Sequence, residues 1–270
     1  MSRLVHAFLL AAVVVLAVGA GAAQAQKPKP PGGSPTGYDV SYPQCGGALP
    51  TNVSFAMVGV NDGIVYSANP CLGAGDGSSQ LAWAERFESA PILYANTGDP
   101  GPALSSHWPT GQTTPETCSA SQSDSSACSY DYGWNAAANS YRNVVNAYIS
   151  LGQLPPNATQ TPHPNEWWLD VETANSWESN TSNNVSELEG EVAYLQSQGV
   201  TAVGFYANAS DWRTITNDTT AFSSLPSWHP GAGSQRTAAS FCGTTGITGG
   251  PTRYSQYASA GFDADVRCSQ

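Results

Sequence analysis

The stretch Asn165–Trp177, which reads NEWWLDVETANSW, decides the fold through its alternation. In an extended chain successive side chains point to opposite faces. Trp167, Leu169 and Val171 then make one wholly apolar face, and Glu166, Trp168, Asp170 and Glu172 make the other. A strand buried in a parallel sheet is ordinarily apolar on both faces. This one instead carries two carboxyls on a single face at its C-terminal end, where barrel enzymes keep their chemistry. Side chains two positions apart on a strand are ~7 Å apart, close enough for each carboxyl to influence the other's protonation. A negative neighbour and partial burial raise a carboxyl pKa, which keeps one member of a pair protonated as a general acid. The structural alternative makes Asp170 a cap for the next helix and Glu172 a solvated loop residue. Tyr38–Ser41 favours the catalytic reading because it repeats the split, with Tyr38 and Val40 on one side and Asp39 and Ser41 on the other.

Working outward, strand-like runs recur at Tyr38–Ser41, Phe55–Val60, Pro91–Asn96, Glu166–Val171, Ala202–Ala207, Pro226–His229, Thr237–Cys242 and Arg253–Tyr257. With helical or loop segments between them, they predict an α/β fold of the (β/α)8 TIM-barrel type, with room for irregularity. Val185, Leu188, Val192 and Leu195 fall at helical spacing, with a capping-box-like start at Asn184 and Glu187 and a stop at Gly199. A second helix is expected from about Trp134 to Leu151, burying Val144, Val145, Tyr148 and Leu151. Between it and the third strand, Thr97–Asp131 is rich in Ser, Thr, Gly and Pro and holds Cys118 and Cys128. It reads as a long disulfide-linked loop over one barrel mouth. Asp263 and Asp265 follow the last expected strand in a Gly/Ala-rich setting that ordinarily means a turn.

The chain begins with Arg3, an apolar run from Ala7 to Val18 and the triplet Ala23-Gln24-Ala25, the order of a cleaved secretory signal over residues 1–25. Residues 26–36 form a Pro/Gly-rich linker, and 37–270 the folded domain. Export makes the six cysteines, Cys45, Cys71, Cys118, Cys128, Cys242 and Cys268, a disulfide framework. Pairing of sequence neighbours (45 with 71, 118 with 128, 242 with 268) is the expectation among the many that six cysteines allow. The formal charge of −11 argues against nucleic acid, which needs clustered Lys and Arg. His107, His163 and His229 stand in no spaced ligand motif, so neither a metal nor a cofactor is expected. No Gly-x-Ser-x-Gly elbow occurs either.

Taken in order, these residues resemble the family 25 glycoside hydrolases, the barrel lysozymes of the Chalaropsis type. Gly37-Tyr38-Asp39-Val40-Ser41 is similar to that family's Gly-x-Asp-Val-Ser opening, and Leu169-Asp170-Val171-Glu172 to its Asp-x-Glu strand. Gly204-Phe205-Tyr206 corresponds to Gly-x-Tyr, and Gln256-Tyr257 with Phe262-Asp263 to the closing Gln-Tyr and Val-Asp pattern. The resemblance implies cleavage of β-1,4 bonds in peptidoglycan or a related N-acetylated glycan. It implies Glu172 as general acid/base, Asp170 as the group that orients the substrate N-acetyl group or stabilises developing positive charge, and Asp39 and Asp263 as the rest of an acidic floor. The acetamido oxygen is then the internal nucleophile, outside the usual two-carboxylate scheme. The chain departs from the pattern at Val58–Gly63, VGVNDG, where Asp62 takes a Glu position and a Lys is missing, and at Tyr94-Ala95-Asn96, which replaces Tyr-His-Phe. These departures mark a divergent branch.

Trp168, Trp177, Tyr206 and Trp212 are candidates for stacking on sugar rings, about half of them expected in the core instead. Tyr94, Asp62 and Gln256 complete the expected substrate-binding set. The leading expectation is a secreted, monomeric glycoside hydrolase that takes a cell-wall polysaccharide and engages neither nucleic acid nor membrane. The alternative is a wall-glycan-binding or structural barrel that kept the fold and lost turnover.

Overall fold

The computed structural model describes residues 36–75 and 77–269. The expected signal peptide, and the linker up to residue 35, lie outside the described residues. No helix among the described residues is long and apolar enough to cross a membrane.

Eight strands close into a barrel in sequence order: β1 (Thr36–Val40), β2 (Phe55–Gly59), β3 (Ile92–Asn96), β4 (Trp167–Asp170), β5 (Val203–Tyr206), β6 (Ser227–Ala232), β7 (Thr252–Ser259) and β8 (Phe262–Arg267). Neighbours from β1 through β7 run parallel, while β8 is antiparallel to both β7 and β1. The helices are α1 (Gln80–Glu85), α2 (Ser126–Ser150), α3 (Thr181–Ser197), α4 (Ala209–Thr216) and α5 (Gln235–Phe241).

Two expectations are corrected at the C-terminal side. Thr237–Cys242 is not a strand but most of α5, because Ser234 accepts the Thr237 amide at 3.2 Å as an N-cap and Ala238 supplies the buried side. The eighth strand comes instead from Phe262–Arg267, expected to be a turn. Ala260 and Gly261 have φ of 52° and 83°, and Ser259 pairs with Phe262, so only these two residues turn the chain. Positive φ at both central positions is the hairpin geometry that matches strand twist.

The helices also start elsewhere than expected. Ser125 caps α2 by accepting the Cys128 amide at 3.4 Å, which shortens the loop and puts Ser126–Asp131 in the helix. Asn180 caps α3, and Asn184 and Glu187 are buried within it rather than capping it. Gly199 follows its C-terminal end with φ of 82°. Leu151 is half-buried at the end of α2, while Val144, Val145 and Tyr148 are fully covered.

Two apolar regions result. Trp167, Leu169 and Val171 join the layer between strands and helices, and Phe55, Met57, Ile92, Trp168, Trp228 and Tyr254 fill the barrel. A Cβ on Gly204 would fall 2.4 Å from the Trp168 ring, and one on Gly37 2.2 Å from the Phe55 ring. The glycines of both motifs are therefore the space into which interior aromatics fit. At the barrel's lower end Glu166 receives Trp168 Nε1 at 3.0 Å and pairs with Arg253 at 3.1 Å, a structural role for that carboxylate.

Helices α2 and α3 pack backbone to backbone: a Cβ on Gly133 would sit 1.9 Å from Glu187 O, and one on Gly190 2.1 Å from Tyr130 O. Beside this crossing Asp99, Glu187 and Glu191 are buried, facing the phenols of Tyr66 and Tyr132 and the Ser129 hydroxyl. Burial pushes Glu187 well up and raises Asp99 to about 7 and Glu191 to about 8. Glu187 and Glu191 lie one turn apart, and the Glu191 charge adds to the cost of ionising Glu187. The cysteines join as 45–71, 118–128 and 242–268.

Candidate active site

At the C-terminal ends of the strands a cleft of about 290 Å³ opens, its walls including Asp39, Ser41, Tyr94, Asn96, Asp170, Glu172, Tyr206, Trp228, Gln256 and Asp263. Alternation along each strand delivers these side chains. Asp39 points inward from β1 and Ser41 from just beyond it, Tyr94 and Asn96 from β3, and Asp170 and Glu172 from and beyond β4. Asp39 sits opposite Asp263 across the β1–β8 pair, so closure by an antiparallel strand is what brings the last acid to the first.

The Asp170 carbonyl is held twice by Thr97, which donates to it through N (3.1 Å) and Oγ1 (2.8 Å). Asn96 Nδ2 donates to Asp170 Oδ2 at 2.8 Å, and the Asn96 amide is itself fixed by Asn61 Oδ1 at 2.9 Å. Asp170 Oδ1 is buried without a partner. With 6 % of its surface exposed, Asp170 has its pKa pushed well up, first by desolvation and then by Glu172, Asp39 and Asp211. Glu172, half-buried, is also raised, by desolvation and then by Asp211 and Asp263. The Asp170 and Glu172 charges oppose each other's ionisation, so the two carboxyls titrate as a pair.

A second network spans the floor. Tyr206 Oη donates to Gln256 Oε1 at 2.8 Å, and Gln256 Nε2 donates to Asp39 Oδ2 at 3.1 Å. The Asp39 and Asp265 carboxyls lie close enough to oppose each other's charge, and Trp228 Nε1 donates to Asp265 Oδ1 at 2.8 Å. Desolvation, then the Asp263 charge, raises Asp39 to about 7, while the fully buried Asp265 is pushed well above the carboxylate range. Two adjacent buried carboxyls avoid double ionisation by sharing a proton.

Asp39, Asp170, Glu172, Asp263, Tyr94, Tyr206 and Gln256 thus come together, and four expected residues do not. Trp168 is sealed in the barrel beneath the cleft, edge-on to Trp228 and Tyr254, because its strand position lies below the mouth. Trp177 points its indole into the turn, donating to Glu172 O at 2.8 Å, and so supports the loop rather than lining the cleft. Asp62 lies past the end of β2 and accepts from Ser67 within its own loop; Gly63 reaches the cleft instead. Trp212 is in the outer core. Sequence reasoning missed Asp265, Asn96, Trp228 and Asp211. Asp265 had a signal, its spacing of two from Asp263, once that segment is a strand. Asp211 had none, since it arrives from α4, where Thr173 and Asn208 donate to it at 2.8 and 2.7 Å. Among the described residues no group of His, Cys, Asp and Glu is arranged to hold a metal ion.

Residues 135–241 match the family described as lysozyme-like protein 1. The whole barrel superposes on a muramidase from Trichobolus zukalii with a TM-score of 0.51 and 16 % identity, covering 88 % of this chain and 95 % of that one. The chain has the fold of a muramidase. A glycosyl hydrolase 25 of Streptococcus pneumoniae aligns at 18 % identity over 86 % of each chain (TM-score 0.49). A bacterial lysozyme from Streptomyces coelicolor aligns at 16 % over 89 % of this chain and 94 % of that one (TM-score 0.46). No curated protein matches the sequence. The muramidase fold and the lysozyme-like segment agree with the resemblance read from the motifs.

Proposed function

We propose that the chain is a secreted glycoside hydrolase that cleaves β-1,4 bonds in peptidoglycan or a related N-acetylated glycan, with Glu172 as general acid/base and Asp170 assisting. The observation that carries this reading is the pairing of Asp170 and Glu172, two residues apart at the end of β4, in a cleft whose other walls are Asp39 and Asp263. Each of these acids is raised by burial, which favours the protonated form that acid-assisted departure of a sugar requires. Glu172 is the more exposed of the β4 pair, and it is the member placed to hand a proton to a glycosidic oxygen. With the proton of the pair on Glu172, the ionised Asp170 accepts the N–H of a substrate acetamide at its unpartnered Oδ1 and supplies negative charge beside the sugar ring as the ring becomes cationic. Three disulfides suit the oxidising compartment that export implies.

The test is incubation of purified peptidoglycan with the parent chain and with Glu172→Gln, measuring new reducing ends and product masses. Release by the parent that the variant lacks is the expected result. A parent chain that co-sediments with the wall material and releases nothing is a binding barrel, and the hydrolase reading then fails.

A further inference from the structure

The large hydrophobic side chains exposed on the described surface are Tyr42, Ile64 and Leu104, and all three stand at the same mouth of the barrel. Tyr42 edges the acidic cleft. Ile64 and Leu104, 62 % and 77 % exposed, edge a second cavity of about 370 Å³. Scattered apolar residues on a surface are ordinary, but a cluster of them beside a polar cleft marks a place of contact. The two cavities share Ala174 and Asn175 as a wall. That wall is the turn opened by Glu172, whose carbonyl accepts the Asn175 amide at 3.1 Å.

The second cavity is a built one. Tyr66 has φ of 68°, a backbone region that an aromatic residue rarely enters, and its Oη donates to Tyr132 O at 3.2 Å. The His107 ring lies flat on it, with centroids 4.1 Å apart and planes within 6°. Leu104 and His107 belong to the long mouth loop, which is fixed by the 118–128 disulfide and by Trp108 Nε1 donating to Ser123 O at 2.6 Å. Walls held this way offer a preorganised surface. No acid, Lys or Arg lines the cavity, and the acidic cleft next to it disfavours a ligand bearing carboxylates. Aliphatic edges combined with the short polar side chains of Ser105, Asn175 and Ser176 fit a pyranose, which has an apolar C–H face and a hydroxyl rim.

We propose that this second cavity is a subsite for an uncharged N-acetylated sugar. The glycan crosses the Glu172 turn with one ring in the acidic cleft and its neighbour against Ile64, Tyr66 and Leu104. The assignment rests on the glycan-hydrolase reading above and adds where the next sugar binds. It is tested by binding, in the full chain carrying Glu172→Gln so that no ligand is consumed, with neutral β-1,4 N-acetylglucosamine dimer and tetramer as probes. The tetramer is expected to bind about tenfold more tightly than the dimer, and I64S/L104S to abolish that gain. The His107 imidazole NMR signals are expected to move with the tetramer and stay put with the dimer. A length gain that survives I64S/L104S, or a His107 signal indifferent to the tetramer, overturns the subsite while leaving the hydrolase reading intact. Failure of both probes to bind, together with no release of reducing ends by the parent, removes both.

Discussion

Asn96 gives Asp170 one hydrogen bond, to Oδ2 at 2.8 Å, and leaves Oδ1 buried and unmet. A buried carboxyl with a single donor is a poor structural element and a good acceptor for an incoming N–H. Glu172→Gln keeps shape and hydrogen bonding but removes the titratable proton, so turnover on glycan should fall by at least ~100-fold. Asp170→Asn should also cut turnover strongly, through loss of the charge that a cationic transition state needs. If Asp170 were only structural, its variant would melt lower and hydrolyse at the parent rate, so melting temperature and turnover belong on the same samples.

Asp211 is expected to set the pH range. It is the charge that contributes most to raising Glu172 after desolvation. Removing a negative neighbour lowers the cost of ionising Glu172, so its pKa falls. In Asp211→Asn the alkaline limb of the activity profile should therefore move to lower pH. A limb that stays in place, or moves up, would exclude Glu172 as the group it reports.

Stability should depend on pH in an unusual direction. Asp39 and Asp99 rise from 3.8 to about 7, and Glu191 from 4.5 to about 8. Each group binds its proton more tightly folded than unfolded, so its contribution is complete below pH ~4 and is lost as pH rises through the folded values. The melting temperature should accordingly decline between about pH 4 and 8. Asp99→Asn should flatten the slope. Thermal melts of parent and variant across that range decide it; a parent that grows more stable toward pH 8 contradicts the assignment.

The α2–α3 crossing should tolerate no side chain. A methyl at Gly133 or Gly190 meets backbone oxygen, which cannot swing aside as a side chain can. Gly133→Ala and Gly190→Ala are each expected to cost about 1–3 kcal/mol or more, despite the better helix propensity of alanine. Denaturant unfolding measures this, and a stabilised variant would show that the helices can part.

The alternation of NEWWLDVE was enough to read β4, its apolar outer face and its acidic mouth, because a strand's period of two needs no partner to be recognised. β1 was legible for the same reason, whereas β2, β3 and β5 were read as short strand-like runs without alternation. The errors lie where a segment's neighbours decided its state. Thr237–Cys242 carries β-branched and aromatic residues at its ends, yet one serine cap and two alanines make it helical. Phe262–Arg267 carries three charged residues, which look like turn chemistry until β7 and β1 flank them and the acids face the barrel interior. Trp168 was assigned to the site from its strand face and Asp62 from the family resemblance; how high along the barrel a residue sits depends on shear, which one strand does not encode.

The pairing of β1 with β8 also bears on how the chain is made. Thr36–Val40 lies beside Phe262–Arg267, so the first strand of the domain waits for the last before it has both its neighbours. Local helices and the run of parallel strands can assemble during synthesis, but the ring is sealed only when the final hairpin arrives, at the entropic cost of the largest loop in the molecule. A chain broken off before Phe262 would keep two raw strand edges, on β1 and β7, open to proteases and to other chains. The last hairpin thereby removes both edges in a single step.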